Sequence, residues 1–400
     1  NPLRQSLHPT LMLLLVTACT APDTSAPAGF PAQWRYSANE MAVTAENGMV
    51  VSTDEYATNV GVQILQEGGN AIDAAIAVQF ALAVVNPEAG NIGGGGFMVV
   101  RTAEGETAAL DYREKAPFEA TRDMYLDPEG NLTDKSVVGH LAAGVPGTVS
   151  GMSAAHERFG TLPWADLVRP AIELAEGFEV KERFLGSLSK TMVEALTAYP
   201  TSASQFLPRD GSPPVVGDTL RQADLASTLN RIKDDGADGF YTGRTADLIV
   251  EEMERGGGII THQDLQSYEA AWREPISFNY RKHTIISMPP SSSGGATMAE
   301  IANILEGYDF AEMSWHSAEQ IHLFAEAARR AYADRNHYLA DPDFVEMPLN
   351  RMTSSSYASE RAATISTSTA TPSTSVGPGM EGDPGESEET THFSIVDAAG

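Results

Sequence analysis

One stretch restricts the fold of this chain more than any other. Residues 71–78, Ala-Ile-Asp-Ala-Ala-Ile-Ala-Val, are small and apolar on nearly every side of a helix. Asn70 stands directly before them and suits a helix N-cap, because its side-chain oxygen can accept a free backbone N–H. A helix without a polar face must be covered all round. We therefore predict a helix buried between other layers.

A strand and a second helix are predicted just before it. Residues 49–52 form a short apolar run of strand length. Residues 57–65 have helical spacing, with Val60, Ile64 and Leu65 on one face.

Four glycines, Gly93–Gly96, lead directly into an apolar strand at 97–100. A phosphate-binding loop would need a following Lys-Ser/Thr or G-x-G-x-x-G spacing, and neither is present. The glycines therefore predict a close approach of two backbones, or left-handed conformations that glycine adopts most easily. A hairpin across 102–106 is expected to pair this strand with a second one that begins at Ala108.

The rest of the chain alternates between helix and strand before its composition changes. Residues 140–270 are predicted to be mostly helical, 276–288 to return to strand, and 297–305 and 317–339 to be helices. Residues 353–389 are rich in Ser, Thr, Pro, Gly and Glu. Such a composition predicts a long flexible segment that cannot form a core.

The charge of the chain is one-sided. It has 26 Lys and Arg against 54 Asp and Glu, a net charge of −28. Nucleic acid is not an expected partner, because little positive charge is available to neutralise phosphates.

The N-terminus has the features of an export signal. Arg4 precedes the apolar run 11–16, which is too short to span a bilayer. Small residues before Cys19 resemble a bacterial lipoprotein cleavage site, so residues 1–19 are expected to be a signal peptide with lipidation at Cys19. Plain cleavage near Ala18 is the alternative. We expect an exported periplasmic or cell-envelope protein, with residues 20–40 as a tether.

Cys19 is the only cysteine of the chain. Because Cys19 lies at the predicted cleavage and lipidation site, the mature protein is expected to have no disulfide and no cysteine-based metal or nucleophile site.

Near the C-terminus, two adjacent threonines lie between a polar segment and a strand pattern. Thr390 and Thr391 are followed by Phe393 and Ile395 on one face of a predicted strand. A threonine hydroxyl becomes a good nucleophile if the preceding peptide bond is cut, because the freed α-amine, with a pKa of about 7.7–8.0, can act as its base. The alternative is an ordinary Ser/Thr-rich loop that enters a strand.

Arg113 and a serine cluster are further candidates. The planar guanidinium of Arg113, near a strand end, could bind a carboxylate through two hydrogen bonds. A structural ion pair with Asp111 or Glu114 is equally compatible with the local sequence. Ser292 or Ser293 could be a nucleophile, but the G-x-S-x-G pattern is missing and no His or Asp partner can be assigned.

Taken together over residues 41–400, these motifs resemble the γ-glutamyltransferase family of N-terminal-nucleophile hydrolases. They occur in the family's order. The matching stretches are Leu65–Ala75, Ala89–Met98, Asp111–Glu114, Pro289–Gly295, Ala331–Arg335, Asp341–Phe344 and Thr390–Phe393.

The resemblance implies an α+β fold, a four-layer αββα sandwich. The chain begins at Asn1 rather than Met, and it ends at Gly400, where a strand would turn back. We expect a fragment in which residues 41–389 belong to a large subunit and 390–400 begin a small one. The sandwich is then incomplete, and this fragment is not expected to be active alone.

The resemblance also implies a chemistry. The precursor would cut itself between Glu389 and Thr390 and form a heterodimer of large and small subunits. Thr390 would attack the γ-glutamyl amide of glutathione, and the resulting ester would pass to water or to an amino-acid or peptide amine. Arg113 would hold the substrate α-carboxylate. Thr391 and His392 would contribute shape rather than chemistry. Neither a metal nor another cofactor is implied.

Three alternatives remain open. A β-lactam (cephalosporin) acylase of the same family would use similar chemistry on another acyl group. An inactive, lipid-anchored homologue would keep the fold for binding. A serine hydrolase would use Ser292 or Ser293.

Overall fold

A computed structural model describes residues 43–380 and 392–400. Helices and short antiparallel strands occur together there, which confirms the α+β class. The strands are β1 Gly48–Val51, β2 Phe97–Arg101, β3 Thr107–Asp111, β4 Phe178–Glu179, β5 Thr219–Leu220, β6 Ala271–Arg273, β7 Ile276–Tyr280, β8 His283–Ser287 and β9 Ser394–Asp397. The helices are α1 Glu55–Gln66, α2 Ala71–Val85, α3 Thr148–Phe159, α4 Trp164–Glu176, α5 Glu182–Ser187, α6 Lys190–Thr197, α7 Pro200–Phe206, α8 Ala223–Asp235, α9 Asp238–Tyr241, α10 Gly243–Gly256, α11 His262–Gln266, α12 Gly294–Leu305, α13 Ala318–Tyr338, α14 Leu349–Met352 and α15 Ser355–Ala362. Short 3-10 helices lie at Asp134–Ser136, His140–Ala142 and Ser373–Ser375.

The strands form small antiparallel sheets. β1 pairs with β9, so that the last described residues return to the first strand. β3 lies between β2 and β6. β4 pairs with β5, and β7 pairs with β8.

The buried helix predicted at residues 71–78 is α2. Asn70 and Asp73 form a capping box at its start, and every residue from Asp73 to Val85 is buried. α1, α3 and α4 pack against it, and β9 also touches it. This confirms the prediction that α2 lies between layers.

The glycine run works by close backbone packing. A Cβ at Gly95 would collide with the carbonyl oxygen of Tyr112, and one at Gly96 would press on the Tyr112 ring. The Gly94 carbonyl accepts the backbone N–H of Gly147 at 2.8 Å. None of the four glycines has a positive φ. Of the two expected reasons, only the close approach of backbones applies.

The prediction that residues 353–389 form no core is wrong for 353–380. α15 buries Tyr357 and Ala358 in this stretch. The polar sequence is tied down by a buried ionic network, because Asp334 of α13 accepts hydrogen bonds from the Tyr357 hydroxyl at 2.9 Å and the Gly379 backbone N–H at 2.6 Å. Residues 381–389 lie outside the described residues.

Two further differences concern strands. The strand expected over 276–288 is a hairpin, β7 and β8, which turns at Arg281 with a φ of 55°. β6 was not expected. It pairs with β3, a partner more than 150 residues away in the chain, and local patterns do not report such distant pairing.

Within the described residues, no helix is both long and apolar enough to cross a bilayer. The predicted signal peptide, Cys19 and the whole predicted tether, residues 20–40, lie outside the described part of the chain.

The ionic network around Asp334 stabilises the second half of the fold. Arg361 of α15 lies 2.9 Å from the Asp334 carboxylate, and both side chains are almost fully buried. Burial, together with the nearby Asp334, raises the pKa of Glu300 well above its ordinary value. The raised pKa reflects the cost of a second negative charge beside Asp334, and Arg361 is the cation that pairs with the Asp334 carboxylate.

We predict that Arg361→Met destabilises the fold by roughly 3–5 kcal/mol, because it leaves Asp334 buried without a counter-ion. Urea denaturation of the variant measures this change. Lys190→Met is the control, because Lys190 forms only an exposed pair with Glu194 at 3.7 Å. An unfolding free energy of the Arg361 variant as little changed as that of the control would contradict the prediction.

Candidate active site

A large cleft of about 1510 Å³ lies beside the β2–β3–β6 sheet. Its walls come from β2, the end of β3, the glycine run, the loop 291–293 and the segment 339–343. Residues 392–395 form another part of the wall. The cleft thus joins parts of the chain that are more than 300 residues apart.

The described chain resumes in this wall at His392. Phe393 and Ile395 pack against the main core, while Ser394 and Val396 are exposed. The expected alternation of faces is therefore confirmed. Asp397 accepts a hydrogen bond from the backbone N–H of Ala71 at 2.9 Å. Its negative charge sits at the N-terminus of α2, where the helix dipole favours it. β9 is therefore held in place by the core and by the start of α2.

Glu389, Thr390 and Thr391 lie outside the described residues, so the threonine nucleophile stays a prediction from the sequence. His392 is exposed, and its Nε2 lies 2.9 Å from the Ser394 hydroxyl.

Arg113 lies in the cleft wall, just after β3, and its side chain is exposed. Its backbone N–H donates to Asp111 Oδ1 at 3.1 Å, and its carbonyl accepts the Tyr268 hydroxyl at 2.7 Å. Within residues 43–380 and 392–400, the Arg113 guanidinium has no hydrogen bond and no ion pair. The alternative of a structural pair with Asp111 or Glu114 is therefore not formed.

The Asp111 carboxylate is paired with another arginine. Arg273 of β6 lies 2.8 Å from Asp111 Oδ2 and also binds both oxygens of Asp343, at 3.0 and 3.2 Å. Its hydrogen bonds and charge hold the pKa of Asp343 below its ordinary value. Local sequence gave no sign of Arg273, because only the unexpected β3–β6 pairing brings it to the cleft.

Buried tyrosines support this wall from behind. Burial raises the pKa of Tyr112, Tyr241 and Tyr268 well above the ordinary value of the phenol. A phenol is already protonated at neutral pH, and this shift keeps each of them protonated to still higher pH. Tyr268 can in this way remain a donor to the Arg113 carbonyl.

The serine candidates line the same cleft but lack the partners of a nucleophile. Ser293 Oγ accepts the Arg335 Nε–H at 3.1 Å, and Ser291 donates weakly to Asp111 at 3.4 Å. No histidine of the described chain forms a hydrogen bond with Ser291, Ser292 or Ser293. This arrangement does not support a serine hydrolase.

In the part of the chain that the structure describes, no group of three or more His, Cys, Asp and Glu side chains could hold a metal ion. The carboxylates of Asp111 and Asp343 are instead engaged by Arg273. The described wall thus contains one unpaired guanidinium, that of Arg113, whose backbone is held by hydrogen bonds from both sides.

Comparison with known proteins shows which family the chain matches. The model of the gamma-glutamyltranspeptidase family matches residues 57–400. The chain is 48% identical over 360 residues to the glutathione hydrolase proenzyme of Escherichia coli, covering 90% of this chain and 62% of that protein. It is 39% identical over 383 residues to the acylase ACY 1 proenzyme of a Pseudomonas species, covering 94% of this chain and 68% of that protein.

A solved structure supports the same assignment. The γ-glutamyltranspeptidase of Helicobacter pylori superimposes with a TM-score of 0.82 at 46% identity, over 85% of this chain and 98% of that one. The chain spans a little less than two thirds of the length of the Escherichia coli relative. Similarity in sequence and in fold extends over most of the chain, which belongs to the gamma-glutamyltranspeptidase family of N-terminal-nucleophile hydrolases.

Proposed function

We propose that this chain is part of a self-cleaving γ-glutamyltransferase and glutathione hydrolase. One observation carries the proposal: the unpaired guanidinium of Arg113 shares a cleft with the start of the strand that follows Thr390. A carboxylate-binding group thus lies in the same cleft as the segment that the sequence assigns to the nucleophile. The printed names of the relatives, glutathione hydrolase proenzymes among them, support the same activity.

Maturation would use the Thr390 hydroxyl. It attacks the carbonyl carbon of Glu389, and the peptide nitrogen leaves as the α-amine of Thr390, which gives an ester between the two residues. Water then cleaves this ester and frees both the Glu389 carboxylate and the Thr390 hydroxyl. The products are a large subunit that ends at Glu389 and a small one that begins at Thr390.

Catalysis would use the same hydroxyl again, with the new α-amine as its base. The hydroxyl attacks the γ-carbonyl of glutathione, and cysteinylglycine leaves as the amine. The γ-glutamyl ester then passes to water or to the amine of an amino acid or peptide. Because β9 is held by β1 and by the start of α2, the strand behind the nucleophile would not shift during these steps.

Arg113 would bind the α-carboxylate of the γ-glutamyl group. A guanidinium can donate two parallel hydrogen bonds to a carboxylate. An ordinary peptide bond inside a chain offers no such free α-carboxylate next to it, so this contact would select γ-linked glutamyl groups.

The location and assembly follow from the same proposal. The mature protein would be a heterodimer in the periplasm or cell envelope, without nucleic-acid partners, and would contact the membrane only through a lipid on Cys19. Mass spectrometry of the exported protein tests whether Cys19 carries a lipid.

A β-lactam (cephalosporin) acylase of the same family is the second candidate, and the similarity to the acylase ACY 1 proenzyme supports an acylase activity. Release of the side chain from a cephalosporin, measured beside release from a γ-glutamyl anilide, separates the two. The unpaired Arg113 favours the γ-glutamyl substrate.

We predict that Thr390→Ala in the complete precursor abolishes both cleavage and activity, because it removes the attacking oxygen. Gel electrophoresis shows the cleavage, and hydrolysis of a γ-glutamyl anilide shows the activity. Thr391→Ala is the matched control and should still be cleaved and active. A Thr390→Ala protein that remains intact yet turns over substrate would refute the nucleophile.

We predict that Arg113→Met raises KM for a γ-glutamyl anilide about 10- to 100-fold with little change in kcat. A charged hydrogen-bonded contact contributes about 1.5–3 kcal/mol, and this contact is made in the bound substrate as well as in the transition state. Arg113→Lys keeps the positive charge but loses the planar guanidinium that donates two parallel hydrogen bonds, so we expect an intermediate KM. Arg169→Met, an exposed change on α4, is the control. An unchanged KM in the Arg113→Met enzyme would rule out this role.

A further inference from the structure

Arg273 and Arg113 both contact the Asp111 carboxylate, Arg273 through its side chain and Arg113 through its backbone N–H. Asp111 is buried, and its two oxygens have different partners. Oδ1 accepts the backbone N–H of Arg113 at 3.1 Å, and Oδ2 lies 2.8 Å from Arg273 Nε. The carboxylate therefore contacts the backbone of Arg113, while its charge is compensated by Arg273.

Asp111 would be a strong competitor for the Arg113 guanidinium. The two residues are separated by only one other, and an isolated buried carboxylate attracts any cation within reach. In the structure this carboxylate is already paired with Arg273. It is itself nearly buried, with 16% of its side chain exposed, and it is held from its other side by both oxygens of Asp343.

The other charged groups near Arg113 do not fill this position. A Cβ at Gly94 or Gly144 would meet the side chain of Glu114, so that side chain lies over these glycines. Lys115 donates to the Glu269 carbonyl at 3.0 Å and lies over the Tyr268 ring. Among the described residues, Arg273 alone forms an ion pair with Asp111.

The backbone of Arg113 is meanwhile fixed from both directions. Asp111 binds its N–H, and Tyr268 donates to its carbonyl at 2.7 Å. The preceding residue, Tyr112, exchanges backbone hydrogen bonds with Gly96 at 3.0 and 3.2 Å. The backbone of Arg113 is therefore held by hydrogen bonds, whereas its guanidinium forms none with the described residues.

We infer that Arg273 is a positioning residue that occupies the Asp111 carboxylate and so keeps the Arg113 guanidinium available for the substrate carboxylate. Asp111 and Tyr268 hold the backbone of Arg113 at the same time. The inference rests on the proposed role of Arg113 and adds a reason why a cation beside a buried aspartate remains unpaired.

The test is a pair of variants in the complete, processed enzyme. Arg273→Met frees the Asp111 carboxylate, which then captures the Arg113 guanidinium. KM for a γ-glutamyl anilide should rise on the order of tenfold, with kcat within about twofold. Adding Asp111→Asn removes the competing charge but keeps an oxygen for the Arg113 N–H. The double variant should therefore recover most of the wild-type KM, an outcome that a merely structural role of Arg273 would not produce.

Arg158→Met is the matched control. Arg158 lies over the ring of Trp272, the neighbour of Arg273 in β6, and pairs with Glu106 outside the cleft. Its KM should stay at the wild-type value. If Arg273→Met does not fold, Arg273→Gln takes its place: its amide can keep a hydrogen bond to Asp111 for folding, but it has no charge, so the negative charge of Asp111 is again left to attract Arg113.

The outcomes separate this inference from the proposed function. If Arg113→Met raises KM and Arg273→Met does not, the inference fails alone. It also fails if the KM of the double variant is not lower than that of Arg273→Met. If Arg113→Met itself leaves KM unchanged, the proposed role of Arg113 fails.

Discussion

The hydrogen bond from the Ala71 backbone N–H to the Asp397 carboxylate connects the two features on which this molecule depends. One is α2, which is buried along nearly its whole length and can exist only inside a layered structure. The other is β9, the strand that follows the predicted nucleophile. Pairing with β1 sets the register of β9, and the carboxylate at the helix N-terminus holds its far end. A short strand near the end of the described chain is thereby made part of the main core.

The cleft above this core is organised by charge compensation rather than by an excess of one charge. The chain carries a net charge of −28, yet an arginine in the cleft wall has no carboxylate partner among the described residues. A buried carboxylate nearby is already engaged by Arg273, which a second carboxylate also binds. In an acidic protein, a guanidinium can remain unpaired only if the carboxylates near it are already paired with other cations. Neutral, protonated tyrosines complete the support, since burial raises the pKa of Tyr268.

Local sequence was most informative where the type of a residue restricts its local conformation or packing. Asn70 capped the predicted helix, and Gly95 marked a place where a Cβ would collide with the backbone of Tyr112. It failed where polar composition was taken for disorder. Residues 353–380 are rich in Ser and Thr, but Tyr357, Arg361 and Gly379 bind the buried Asp334 of α13. Composition counts polar groups and cannot show whether distant partners satisfy them.

The sequence by itself determined the family, the α+β class, the buried helix and the identities of the candidate residues Arg113 and Thr390. The buried helix follows from local periodicity, whereas the fold class and the two candidate residues are what the resemblance of the motifs to the family implies. Only the tertiary structure decided that Arg113 is unpaired, that Arg273 rather than Arg113 compensates Asp111, and that β9 lies against β1. Those contacts join residues that are 162 and more than 340 positions apart. Whether Asp111 pairs with Arg273 or with Arg113 depends on distances and burial in three dimensions. Neither can be read from the order of the residues.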